Sequence, residues 1–252
     1  MTGRWCPPRR TALPLSATVL LSLLSLPALP PPLQAQISLF EGDRSSLGVS
    51  GYLRSLTGIS DLGYEPPSGD RRSGFHGDVA RVRWRARWGD VAVLEVHDRL
   101  QTHITSTEGG LGESVAGFGV SADPGRSVDL EWVWIDDEGL RVWHDLDRLA
   151  LTVYTPVADV TVGRQAITWG TAVIFPVADL WARFSPFELD TEEKPGVDAV
   201  RILAYPKPGL EVDAVVADRG ARDDVSAGVR ATWSLSAADL YGAAGRLWNQ
   251  AM

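Results

Sequence analysis

From Leu47 onward the chain alternates apolar and polar residues with period two, segment after segment. That is the pattern of strands that hide one face. In Val79–Trp88, residues Ala80, Val82, Trp84, Ala86 and Trp88 share one face, and Arg81, Arg83, Arg85 and Arg87 share the other. In Val225–Leu235, Ala227, Val229, Ala231, Trp233 and Leu235 oppose Ser226, Gly228, Arg230, Thr232 and Ser234. Leu210, Val212, Ala214 and Val216 oppose Glu211 and Asp213, while Ala92, Leu94 and Val96 oppose Glu95 and His97. Further strands are expected over Leu47–Thr57, Val128–Ile135, Leu149–Thr155, Val160–Thr168, Val197–Tyr205 and Asp239–Trp248. This makes about ten strands, none accompanied by a helical period. Between 128 and 155 the strand number stays open, because Asp136–Gly139 and Trp143–Asp147 suit either a hairpin or a folded loop.

The connections differ in length. Trp88-Gly89-Asp90, Pro206-Lys207-Pro208-Gly209 and Leu235–Ala238 read as tight turns, whereas 58–74, 102–127 and 169–196 read as long loops rich in Gly, Pro, Ser and acids. Short turns at one end and long loops at the other are the layout of an outer-membrane barrel. A soluble β-sandwich also alternates. The tryptophans favour the barrel, since Trp84, Trp88 and Trp233 lie on apolar faces, the last two near strand ends where interfacial aromatic girdles form. The expected fold is therefore all-β, an antiparallel up-and-down transmembrane barrel. Because the chain stops just after the strand at Asp239–Trp248, it is expected to be the N-terminal part of a longer barrel, with that strand and Leu47–Thr57 as unpaired edges or closed by a poor seam.

The start of the chain changes the picture of where it resides. Arg4, Arg9 and Arg10 precede an apolar stretch from Leu13 to Leu29, and Leu33-Gln34-Ala35 offers a cleavage site, so residues 1–35 read as a secretory signal and 36–252 as the exported domain. Pro14, Pro27 and Pro30–Pro32 disfavour a membrane-spanning helix there. The single cysteine, Cys6, is lost with the signal, which leaves no disulfide and no thiolate metal site. The net charge of -8, with Lys194 and Lys207 the only lysines, excludes a general nucleic-acid binder. Export to the outer membrane implies lipid as one partner, with periplasmic chaperones and the barrel-assembly machinery as others.

Candidate chemistry is sparse. His76, His97, His103 and His144 have no metal-ligand spacing, and no Gly-x-Ser-x-Gly elbow accompanies His97-Asp98. The acidic run Asp190–Glu193 lacks the alternation of a calcium loop. No cofactor is expected. The four arginines Arg81, Arg83, Arg85 and Arg87 are the sharpest feature. They must face a lumen, because the opposite choice would put four guanidinium groups in hydrocarbon at roughly 2–4 kcal/mol each near the midplane. Facing loop carboxylates would make them one side of a solute-orienting constriction. Wall acids such as Glu95, Glu211 and Asp213 would instead make them supports.

One stretch carries a resemblance. It comprises Leu146-Asp147-Arg148-Leu149, Val162-Gly163-Arg164-Gln165-Ala166-Ile167-Thr168-Trp169-Gly170, Phe175-Pro176, Asp179-Leu180, Phe184-Ser185-Pro186-Phe187 and Glu192-Glu193-Lys194-Pro195-Gly196-Val197-Asp198. Over His144–Arg201 the chain thus resembles a broad group of porin-like outer-membrane barrel proteins of Gram-negative bacteria, loosely akin to porins and exopolysaccharide-export barrels. It departs from them at Ala182-Arg183, where the group has Asn-Pro. The resemblance implies location and architecture, and function only by analogy; the expected function is a barrel passing small polar solutes, with a structural or polysaccharide-export barrel, or a lipid-acting barrel enzyme, as alternatives. From the residues themselves, Gly163 leaves room for a close approach by a large side chain or loop, and Arg164 and Gln165 suit tying down carbonyls or carboxylates at a strand end. The loop that follows, with Asp179, Asp190, Glu192 and Glu193, would fold into the lumen or cap its mouth.

Overall fold

The computed structural model describes residues 37–61, 72–106, 126–169, 181, 193–220, 225–236, 238–247 and 250–251. All fall within one unit spanning Leu33–Met252. Alternation of small and branched apolar residues with polar ones, interrupted by Gly and Pro turns, yields twelve strands and no helix among the described residues. They are β1 (Ile37–Glu41), β2 (Ser45–Asp61), β3 (Arg72–Trp88), β4 (Ala92–Thr105), β5 (Glu131–Asp137), β6 (Leu140–Tyr154), β7 (Ala158–Gln165), β8 (Val197–Lys207), β9 (Leu210–Ala217), β10 (Ser226–Ser234), β11 (Asp239–Leu247) and β12 (Gln250–Ala251). They form one antiparallel sheet in the order β1-β2-β3-β4-β6-β7-β8-β9-β10-β11-β12, with β5 beside β6 off that path. Each of the ten expected segments lies on a separate strand, β2 to β11, and β1 and β12 are additional.

Several expected boundaries are corrected. The segment 58–74 is not wholly a loop: β2 runs to Asp61 and β3 starts at Arg72, in continuous register. Gly58 has no side chain, so the Phe75 ring lies across it where a Cβ would collide, and the Thr57 hydroxyl meets His76 Nδ1 at 2.7 Å. Likewise β4 reaches Thr105, because β6 begins at Leu140 and supplies a partner as far as Ile104. Asp136–Gly139 closes a hairpin, with Asp136 and Asp137 on β5 and Glu138-Gly139 as the turn, and Trp143–Asp147 is strand, not loop. Leu149–Thr155 is only the end of this fifteen-residue β6. The tight turns fall where the sequence places them, with Gly89 and Gly209 at positive φ and Leu235 N–H donating to the Ala238 carbonyl.

The two faces of the sheet differ in chemistry. One is covered by the chain's own segments around Arg126, Ile167–Trp169, Trp181 and Glu193–Gly196. It buries Arg81, Arg99, Gln101, Asp145, Asp147, Arg164 and Asp213, and carries a small apolar core of Ile167, Trp169, Trp181, Val197, Ala199, Val215 and Ala217. The other face is open and apolar. Val82, Trp84 and Trp88 of β3, Leu149, Leu151 and Val153 of β6, and Val162, Val200, Ile202, Val216, Val229, Trp233 and Leu240 further along all lie exposed. The covered face gathers the buried charges, and the open face is largely apolar.

The sheet is open. The expectation that Leu47–Thr57 and Asp239–Trp248 are unpaired edges is corrected, because the short β1 and β12 add to the sheet beyond them: β2 is flanked by β1 and β3, and β11 by β10 and β12, though β2 and β11 do not pair with each other. No ladder joins β1 to β12 among the described residues, so the described strands do not close into a barrel.

Candidate functional site

The covered face holds the candidate site, and a β-bulge organises it. His97 of β4 pairs with Arg148 of β6, but Asp98 pairs with Leu146, which leaves Asp147 as the extra residue. A bulge re-aims side chains by breaking the two-residue alternation. Here Asp147 and Arg148 both turn to the covered face, together with Asp145 below and Ala150 above in sequence. The Asp147 carboxylate is inaccessible to solvent. It accepts hydrogen bonds from Arg81 Nη1 at 2.6 Å, Arg126 Nη2 at 2.8 Å and the Gly196 N–H at 3.2 Å. Asp145 accepts from Arg126 Nη1 at 2.7 and 2.8 Å and from Arg99 Nη2 at 3.2 Å. Two buried carboxylates thus bind three guanidinium groups, as buried charges require.

The second part is a fork in the sheet. Leu149–Tyr154 of β6 pairs with β7, whereas Leu140–Asp145 pairs with β5. Leu146 lies between, and its carbonyl has no strand partner on that side. Arg164 fills the gap. Its Nη1 donates to the Leu146 carbonyl at 2.9 Å, its Nη2 to the Val128 carbonyl, and its Nε to Asp198 at 2.9 Å. Gln165 Nε2 donates to the carbonyls of Ala199 and Thr161, at 3.1 and 3.2 Å. Both side chains therefore tie down backbone and carboxylate oxygens, as their chemistry suggests. Gly163 has φ 112°, and a Cβ there would fall on the Leu149 carbonyl oxygen. The close approach is thus by backbone, not by a large side chain.

The arginine row divides by depth. Arg81, Arg83, Arg85 and Arg87 all alternate onto the covered face, but only Arg81 is fully buried. Arg83 Nη1 lies 3.2 Å from Glu193 Oε1, and Arg148 Nη2 lies 3.2 Å from Glu193 Oε2. Arg148 also donates to the Lys194 carbonyl at 2.7 Å. Glu193 and Arg83 therefore meet as a loop acid and a wall cation, while Arg85 pairs with the wall acid Glu95 at 3.3 Å. Arg87 is exposed, with no ion pair among the described residues. Asp179, Asp190 and Glu192 lie outside the described residues. Burial pushes the Lys194 ammonium below its ordinary value.

A further cluster lies on β8–β10. Asp213 is buried and accepts from Arg201 Nη2 at 2.7 Å and Trp169 Nε1 at 2.8 Å, with Arg230 Nη2 at 3.6 Å. Trp169 and Trp181 stack edge to face over Gly228, whose Cβ would meet both rings. Asp145, Arg99 and Arg126 are not singled out by the sequence, and Asp147, Arg148 and Asp198 enter it only within the stretch of resemblance, not as site residues. A signal existed for Asp145 and Asp147: Arg141, Trp143, Asp145 and Asp147 alternate with Val142, His144 and Leu146, which marks a strand. Arg126 is brought in by tertiary structure alone. Among the described residues no group of three or more His, Cys, Asp and Glu side chains is placed to hold a metal ion. Comparison with known proteins returns no family model, no curated protein and no solved structure that matches this chain.

Proposed function

We propose that this chain forms the wall of an outer-membrane β-barrel with an arginine-rich lumen that passes small polar solutes. The observation that carries the reading is the inverted distribution of polarity. A sheet in water buries its apolar face, yet here buried guanidinium and carboxylate groups are covered while valine, isoleucine, leucine and tryptophan are exposed. The exposed apolar residues also fall into register across the sheet. Trp84 pairs with Val96, Val96 with Leu149, Leu151 with Val162, Val162 with Val200, Val200 with Val216, Val216 with Ala227, and Val229 with Ala244. Strands β7 to β11 are 8 to 11 residues long, close to the ~9–11 residues a tilted strand needs to cross a bilayer. On the open face beyond this band stand Asp78, His76, Asp98 and His144, polar groups suited to a headgroup or aqueous level. Closure through the β1 and β12 edges belongs to the proposal, since an open edge in lipid leaves backbone groups unsatisfied.

A second reading, a non-conducting structural or polymer-export barrel, is favoured by one observation: the covered face is occupied by the chain's own Trp169, Trp181 and Glu193. Planar-bilayer recording on the protein separates the two. Discrete conductance with a preference for anions is expected, because Arg87 and part of Arg85 are exposed on the lumen side. Replacing Arg83 and Arg85 with glutamine is expected to shift reversal potentials toward cations. Silent membrane-inserted protein overturns the channel reading and leaves the structural one.

A further inference from the structure

We propose that Arg83, His97 and Arg148 form a binding site for a small carboxylate anion, which the chain's own Glu193 fills in this structure. The three residues are a cross-strand row: Arg83 of β3 pairs with His97 of β4, and His97 with Arg148 of β6. Only the bulge at Asp147 lets Arg148 share a face with His97, so the sheet's irregularity builds the row. Glu193 lies on no strand. It places one oxygen against each guanidinium, at 3.2 Å to Arg83 Nη1 and 3.2 Å to Arg148 Nη2. Both contacts are longer than the ~2.7–2.9 Å of an optimal charge-assisted bond, and each arginine offers a single nitrogen rather than its two-pronged edge.

The row keeps polar atoms that Glu193 leaves unused. Arg83 Nε, Arg148 Nε and His97 Nδ1 are buried without a hydrogen-bond partner, and His97 is only 8% exposed. Buried polar atoms are ordinarily satisfied, so three unpartnered ones at adjacent positions of one cross-strand row mark a place for a ligand that can bond them. A tethered side chain can reach only part of that set, whereas a free carboxylate can turn to present its oxygens to the Nε and Nη edges together. The charge suits an anion. The adjacent Asp147 is already engaged by Arg81 and Arg126, which leaves two guanidinium charges opposite one carboxylate. A solute would therefore compete with Glu193 for the row. The site stands on these contacts; only the route by which a solute reaches it rests on the barrel reading.

Calorimetric titration of the folded protein with acetate tests the assignment, with inorganic phosphate as the comparison anion. Removing the tethered competitor in Glu193→Gln should tighten acetate binding by about tenfold over the unsubstituted protein, because a short tether holds its group at millimolar effective concentration or more. Adding Arg148→Gln to that variant should abolish the binding. Should Glu193→Gln fail to give a cooperatively unfolding protein, Glu193→Asn serves the same comparison. Acetate affinity that is equal with and without Glu193, or that survives loss of Arg148, overturns the site. Preference for phosphate over acetate overturns the carboxylate assignment. A water-soluble folded chain that binds acetate as described would keep the site while removing the barrel.

Discussion

Asp147 is fully buried and paired with two guanidinium groups, so its loss should be felt strongly. Its carboxylate holds Arg81 at 2.6 Å and Arg126 at 2.8 Å with no solvent to replace it. Breaking a buried pair strands the remaining charge at a cost of about 3–5 kcal/mol. Asp147→Asn is therefore expected to lower unfolding free energy by about that amount in denaturant titration. Glu95→Gln removes a partner of Arg85, whose side chain is 53% exposed, so it should cost less than about 1 kcal/mol. Equal effects would mean that burial does not govern these pairs. The contrast shows what residue types alone conceal. Arg81, Arg83, Arg85 and Arg87 look equivalent in sequence, and alternation puts all four on one face. Their depth ranges from buried to exposed because the covering segments lie over only part of β3.

At the scale of elements, strand periodicity was legible wherever it was unbroken. Val79–Trp88 and Val225–Leu235 have the faces their alternation predicts, and the register of β3 with β4 follows directly. It was lost where alternation breaks. Arg141–Asp147 carries one phase and Arg148–Tyr154 the other, because the bulge inserts a residue between them. A one-residue slip exchanges the faces, so a period search splits β6 into a short strand and a loop. The apolar phase itself gives a prediction. Leu151 of β6 lies on the open face between Leu94 and Val162, and Thr152 lies on the covered face between Val93 and Thr161. If lipid covers the open face, Leu151→Arg should destabilise the protein folded in liposomes by about 2–4 kcal/mol, and Thr152→Arg by clearly less. A reversed order would place lipid on the other face.

For the whole molecule, the expected test is location. The chain should be recovered in the outer-membrane fraction and migrate differently before and after heating, as a folded barrel resists detergent until heated. Recovery as a soluble periplasmic monomer would remove the proposal that lipid covers the open face. The sequence by itself determined the all-β class, the antiparallel order of neighbouring strands except at β5, which lies off the path, and which face of each regular strand is charged, since these follow from period-two alternation and turn residues that act locally. It also marked Arg164 and Gln165 as oxygen-binding groups, because their donors demand acceptors wherever they fall. Only the tertiary structure decided which acceptors those are. The Leu146 carbonyl is free for Arg164 because β6 changes neighbour from β7 to β5 at that point. The meeting of Arg83, His97 and Arg148 with Glu193 likewise depends on a bulge and on a connecting segment that folds back across the sheet. Such contacts join residues up to 110 positions apart, and no local pattern of alternation encodes them.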